Sequence, residues 1–537
     1  MRSRGTRTSV ILRLALAIAA TGAAQAPAYR SKVWVADNGD GTYRNPILHA
    51  DYSDPDVLRI GDDYYLVASS FNAVPGLPIL HSKDLVNWEL IGHAFAEQPP
   101  LEVYRKPGHG NGAWAPSIRR HNGEVYIYYP DPDFGIYMVK ARTPAGPWSA
   151  PLLVKRAKGW IDPCPLWDDD GKAYLVNALA ASRSGMGSVL VVSRMDADGT
   201  RLLDDGALVY DGHGRDATVE GPKFYKRNGY YYIFAPAGGV PRGWQLALRS
   251  KNVYGPYERK VVLEQGKTAV NGPHQGGWVE TPAGESWFVH FQDKDPYGRM
   301  VHLEPMKWVD DWPVIGDNGE PVERHRKPNV GRAWPVETPA ESDEFNGARI
   351  GLQWQWQANP QPGWAFPSPG LGALRLFAIP RPDGYRNLWD APNLLLQKFP
   401  APAFTATAKL NFNAMGDGDQ AGLTVMGMDY AYIGVSKTAD GLRVSQTVCK
   451  GASEGNPERG TAPAEAVGAT VYLRVTVSKE ALCRFSYSTD GAQFHDIGEP
   501  ATARAGRWVG AKVGLFALAP GAVKETGYAD FDWFRVE

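Results

Sequence analysis

Three acidic residues in this 537-residue chain share a local setting. Asp54 stands in Ser-Asp-Pro-Asp, Asp162 in Ile-Asp-Pro-Cys and Glu220 in Val-Glu-Gly-Pro, each beside a run in which apolar and polar residues alternate. A lone Asp-Pro reads as a turn cap, but three acids at matched places point to a shared task. Carboxyl groups gathered in one polar pocket repel one another, which raises at least one pKa. Such a pocket can hold one carboxylate as proton acceptor for a water and one protonated carboxyl as proton donor. Acid–base cleavage of a glycosidic bond needs that pair.

The elements that must position these acids repeat. "SDPDVLRIGDDYYLVASS" is echoed by "WAPSIRRHNGEVYIYYP", "IDPCPLWDDDGKAYLVNAL", "VEGPKFYKRNGYYYIFAPAGG" and "HQGGWVETPAGESWFVHFQD". Each has a small or proline-containing approach, an alternating strand, a Gly-containing turn and an aromatic-rich strand. The anchors Asp54, Trp114, Asp162, Glu220 and His274 are spaced by 60, 48, 58 and 54 residues, a period that matches a four-stranded propeller blade. Helical periodicity is nearly absent, so the chain reads as all-β, with a five-bladed β-propeller over residues 40–325. The inner strand of each blade runs along the central axis, so the five approaches converge. The Asp168–Gly171 stretch, "DDDG", lies between two strands and reads as a hairpin turn rather than a metal loop.

After Pro321 the composition shifts to Pro, Arg and charge, and residues 326–338 read as a linker. From 339 to 537, short β runs continue without the 50-residue period, which predicts a separate β-sandwich of the concanavalin-like or jelly-roll kind.

The net charge of −1, from 57 basic and 58 acidic side chains, gives no basic footprint for nucleic acid or an anionic membrane. Arg2, Arg4, Arg7 and Arg13 precede the apolar run Leu14–Ala20. Residues 1–26 therefore read as a signal peptide, with Ala24 and Ala26 both open as the cleavage point, and the product as secreted or periplasmic. The three cysteines exclude a disulfide-stapled fold; either Cys449 pairs with Cys483 or all three serve as buried thiols.

The order "DYSDPDVLR", "GAWAPSI", "WIDPCPLW", "TVEGPKF" resembles glycoside hydrolase family 43, over about Tyr43 to Pro321 and on into a C-terminal sandwich. The resemblance implies an inverting, five-bladed enzyme with Asp54 as general base, Glu220 as general acid and Asp162 as the group that raises and orients the acid. "SSFN", "GAWAP" and "YGR" then place Phe71, Trp114 and Arg299 around the terminal sugar. His274, in "PHQGGWVET", matches a histidine that in relatives sits near a calcium ion, which makes calcium the one cofactor expected. Xylosidase-like relatives also use a loop of the sandwich to close one side of the pocket, which favours exo action. The implied substrates are oligo- or polysaccharides of plant hemicellulose such as arabinoxylan, cut by an α-L-arabinofuranosidase, a β-D-xylosidase or an enzyme with both activities; oligomeric state is left open.

Two other readings are weaker. The retaining fructan-hydrolysing enzymes carry Asn-Asp-Pro-Asn-Gly where this chain has "DYSDPDVLR". A non-catalytic carbohydrate-binding propeller would tolerate loss of an acid, and all three are present.

Overall fold

A computed structural model describes residues 29–537 apart from residue 271 and the stretches 461–463, 466–468 and 522–524. The expected signal peptide lies outside the described residues. The chain is all-β, and Ala181–Ser184 is the one α-helix among the described residues.

Five sheets form the propeller. The first blade runs Asp56–Ile60, Asp63–Val67, Gly76–Ser82 and Trp88–Phe95. The second blade runs from Ser117 to Arg156, the third from Trp160 to Asp211 and the fourth from Lys223 to Leu263, four strands each. Middle strands such as Gly135–Ala141 are buried at nearly every position, because each blade is covered on both faces. Hairpins close where the sequence supplies left-handed residues: Asn122–Gly123 has φ of 47° and 81°, and Asn228–Gly229 has 50° and 72°. Two such residues in a row make the tight turn that matches strand twist.

The fifth blade draws on both ends of the propeller. Strands His274–Glu280, Ser286–Asp293 and Arg299–Val309 are joined by Leu48–Asp51, which pairs with the third of them, while Trp312–Ile315 pairs further along that same strand. The internal repeat gave no sign of this closure, because Leu48–Asp51 precedes the first repeat unit.

Polar groups stitch neighbouring inner strands together around the axis. Asp56 Oδ2 accepts from Ile118 N at 2.9 Å and from Arg119 Nη1 at 2.6 Å. Ser117 Oγ donates to Pro163 O at 2.6 Å, Phe224 N to Cys164 Sγ at 3.2 Å, and Lys223 Nζ to Pro116 O at 3.1 Å. These bonds return to the buried groups part of the hydrogen bonding they lost to desolvation, although Asp56 Oδ1 and Arg119 Nε stay without a partner. All three cysteines are free and buried, so Cys449 does not pair with Cys483.

Two sheets stack as a sandwich after residue 340. One is ordered around Lys512–Ala519 and Gln420–Met426, the other around Phe404–Ala414 and Tyr528–Val536. Strand Thr470–Val477 shows why: Val471, Leu473, Val475 and Val477 are buried while their neighbours are not, the period-two pattern of a sheet with one covered face. The sandwich is fixed to the propeller by a shared apolar core that joins Ile79, Ile127 and Tyr129 to Trp354 and Trp356. Backbone bonds between Val74 and Trp356 in both directions (3.1 and 2.6 Å) reinforce it. Tyr297 Oη, with one proton to give, lies 2.8 and 2.7 Å from the sandwich carbonyls of Pro402 and Lys479 and accepts from Ala481 N at 3.1 Å.

Candidate active site

Asp54, Asp162, Glu220, Phe71, Trp114 and Arg299, all singled out from sequence, line one cavity at the propeller axis. The same cavity is lined by Gln275 and by Trp508 of the sandwich, which sequence reasoning did not select.

Asp54 precedes the first inner strand with φ 55°. Its carboxylate accepts from Ser53 Oγ at 2.7 Å, from Ser69 Oγ at 2.6 Å, and from Arg299 Nη1 at 2.9 and 3.2 Å to its two oxygens. A carboxylate so held is fixed in direction. Arg299 opens the third strand of the fifth blade, and its guanidinium lies 5.0 Å from the Phe291 ring.

Asp162 sits where the Trp160–Trp167 strand breaks register, with φ 57°. Its Oδ2 accepts from Gly221 N at 2.7 Å, so it grips the backbone next to Glu220. Burial pushes both the Asp162 and the Glu220 carboxyl groups up. Each is raised further by a neighbouring carboxylate: Asp162 by Asp54, and Glu220 chiefly by Asp162 and less by Asp54. The two titrate together and cannot both ionise freely. The Gly221 N–H favours the charged form of Asp162, and Glu220 has no comparable backbone donor, so Glu220 keeps its proton to higher pH than Asp162 does. About a third of the Glu220 side chain is exposed, which leaves its proton deliverable.

His274 is buried beneath the acid, with its Nε2 3.4 Å from Glu220 Oε1. Burial, then the Arg299 charge, lower its pKa to about 3, so the ring is neutral. Neither ring nitrogen has a hydrogen-bond partner, which a cation could exploit. Calcium, however, prefers six to eight oxygen donors, and among the described residues Glu220 is the one carboxylate within ion-pair distance of His274. The described grouping of three metal-type side chains, His290, His302 and Glu304, stands on the second and third strands of the same blade as His274 and is buried, with His290 Nε2 3.1 Å from Glu304 Oε1. Asp168, in the "DDDG" turn, is bound to Lys226 and to Tyr231 Oη.

The cavity wall is aromatic. Phe71 and Trp114 lie 6.2 Å apart between ring centres, and Trp114 and Trp508 meet edge-on at 6.4 Å. Trp114 Nε1 donates to Gly110 O at 2.8 Å. Trp508, 53 % exposed, projects from a sandwich loop pinned to the propeller: Ala505 N donates to Asp295 Oδ1 at 3.1 Å and Gly510 N to Asp51 Oδ2 at 2.8 Å. Asp51 also accepts from Arg299 N at 3.0 Å through its other oxygen, so one carboxylate joins the closing loop to the residue that holds Asp54. The glycines flanking "GRWVG" hinted at a presented aromatic, but its destination depends on how the two domains dock.

One alignment from the repeats needs correcting. Sequence spacing matched Asp54 to Trp114, Glu220 and His274, whereas the register places Ala115, Gly221 and Gln275 in that role. The prolines that follow Asp54, Ala115, Asp162 and Gly221 mark the common position. Gln275 falls in the register break of the fifth inner strand, as Asp162 does in the third. Glu220 thus reaches the same cavity from one residue earlier.

The arrangement combines a protonated carboxyl, a fixed carboxylate, a third acid coupled to the first and aromatic walls: the equipment for general acid–base cleavage of a sugar acetal. Comparison with known proteins agrees. Residues 43–313 match Glycosyl hydrolases family 43, and residues 342–537 match the Beta xylosidase C-terminal Concanavalin A-like domain. The chain is 34% identical to a beta-xylosidase of Formosa agariphila, over 93% of this chain and 91% of that one. It is 31% identical to a non-reducing end alpha-L-arabinofuranosidase of Bacteroides ovatus, over 92% and 94%. The structure of a xylan beta-1,4-xylosidase from Bacillus halodurans superposes with a TM-score of 0.82 at 26% identity, covering 92% of this chain and 99% of that one. The protein belongs to glycosyl hydrolase family 43 and is a glycoside hydrolase of the β-xylosidase and arabinofuranosidase type.

Proposed function

We propose that this enzyme is exported and removes terminal pentose units, α-L-arabinofuranose or β-D-xylose, from hemicellulose such as arabinoxylan, with inversion at the anomeric carbon. The observation that carries the exo reading is Trp508: a cavity closed on one side by a residue of the second domain admits a chain end or side branch more readily than the middle of a polymer. The relatives named as xylosidase and arabinofuranosidase support a pentose. The charged run and apolar stretch at residues 2–20 support export.

In the proposed reaction, Glu220 gives its proton to the leaving oxygen as the glycosidic bond breaks. Asp54 takes a proton from a water that attacks the opposite face of the sugar. One water is consumed; the sugar leaves with inverted configuration, the departing chain end gains a hydroxyl, and solvent restores the two carboxyl groups. Asp162 touches neither reacting atom. Its charge keeps Glu220 protonated, and its bond to Gly221 N–H fixes the acid's backbone. Arg299 holds Asp54 toward the water.

The test is release of p-nitrophenol from the α-L-arabinofuranoside and the β-D-xylopyranoside by the wild type and by Glu220→Ala, with the product anomer followed by NMR. Cleavage of one or both, with the inverted anomer appearing first and turnover on unactivated disaccharides lost in the variant, supports the assignment. Initial release of the retained anomer would overturn inversion, and no release from either glycoside would overturn the pentose specificity.

A further inference from the structure

Gln275 lines the catalytic cavity, yet the scheme above gives it nothing to do. The first and third blades present Asp54 and Asp162 from left-handed backbone, with φ of 55° and 57°; the fifth blade presents Gln275 with φ 41°. Such a backbone is unfavourable for a side chain larger than glycine, and it persists where surrounding structure enforces it, often at functional sites. The register break that carries Asp162 between Ile161 and Cys164 recurs around Gln275, between His274 and Gly277. The fold therefore aims Gln275 by the same backbone device that aims two of the acids.

The side chain is 3% exposed and its Nε2 has no hydrogen-bond partner. A Cβ added to Gly221 would stand 2.8 Å from Gln275 Cγ and Cδ and 3.1 Å from Nε2. Glycine follows the acid Glu220 so that this amide can lie across it. A buried N–H without a partner is costly, and a sugar hydroxyl can accept from it. Being neutral, the amide holds a hydroxyl without adding to the repulsion among three carboxylates. We propose that Gln275 is a sugar-binding residue whose side-chain amide hydrogen-bonds a hydroxyl of the terminal pentose on the Glu220 side of the cavity. This rests on the pentose reading above.

The experiment compares wild type, Gln275→Leu and Gln275→Glu on the preferred p-nitrophenyl pentoside and on the matching disaccharide, with calorimetric titration of free xylose and arabinose. The expected result is a fall in kcat/KM of at least about tenfold in Gln275→Leu, the scale of one hydrogen bond, by the same factor on both substrates. Weaker binding of the free pentose should accompany it, and Gln275→Glu, which keeps an acceptor but adds a fourth carboxyl beside Glu220, should lose at least as much. Melting temperatures of the unliganded proteins identify any variant that loses the fold, and Gln275→Asn, whose amide falls one carbon short, then takes its place. Unchanged kcat/KM in a folded variant overturns the proposal. So does a loss confined to the disaccharide, which would mean that Gln275 acts through Glu220. A wild type that neither cleaves nor binds a pentose overturns the functional reading, and this assignment with it; a wild type that does both, matched by Gln275→Leu, overturns this assignment alone.

Discussion

At the scale of residues, the site is a problem in sharing one proton. Glu220 is pushed up to about 8, first by burial and then by Asp162, so the proposed acid is protonated at neutral pH and loses its proton as pH rises through that value. Activity is therefore expected to fall on the alkaline side in that region. Replacing Asp162 by Asn removes a like charge while leaving an oxygen for Gly221 N–H, so Glu220 becomes more acidic. The alkaline limb of the kcat profile of Asp162→Asn should move to lower pH, and a limb that stays in place or moves up would remove Asp162 as the modulator. The acids were legible in sequence because each stands beside a proline or a Gly-Pro in a repeated frame. Ser53 and Ser69, which hold Asp54, were not, since serine is common near turns and nothing in its spacing says which carboxylate it serves.

Elements set the accuracy with which those groups are aimed. The inner hairpins depend on turns such as Asn122–Gly123, whose glycine has φ 81° and would meet nothing within 4 Å if it carried a methyl group. Gly123→Ala should thus cost only the left-handed backbone penalty, about 1 kcal/mol, read as a lower urea midpoint with kcat unchanged; a far larger loss would mean that the methyl meets something. The blades themselves could be read from the repeat. The one-residue offset between Glu220 and Asp162 shows in the prolines that follow Asp162 and Gly221 but not in the spacing of the acids, and in the fifth blade Gly276 stands where that proline would be. That is also why the spacing points to His274 rather than to its neighbour Gln275.

For the whole molecule, the active cavity belongs to two domains. Trp508→Ala leaves the shared core of Ile127, Tyr129, Trp354 and Trp356 untouched. It should raise KM about tenfold, roughly the worth of one aromatic contact, with little change in melting temperature; unchanged KM would show that the sandwich loop does not meet substrate. The resemblance implied that a loop of the second β domain closes one side of the pocket, but docking is a matter of surface shape and of single anchors such as Asp51, so which residue forms that wall stayed hidden.

The strand Leu48–Asp51 carries a consequence for time rather than for geometry. It pairs with Arg299–Val309, so contacts between the two ends of the propeller must form before the ring shuts, and such distant pairings make folding slow. Asp54 lies just after one side of that seam, and Arg299 begins the other. During refolding from urea, hydrolysis should therefore return with the slowest kinetic phase, after most β-sheet signal has recovered; catalysis that returned together with the early sheet signal would mean that the seam closes first. A newly made chain would acquire its catalytic competence as the last event of its own assembly.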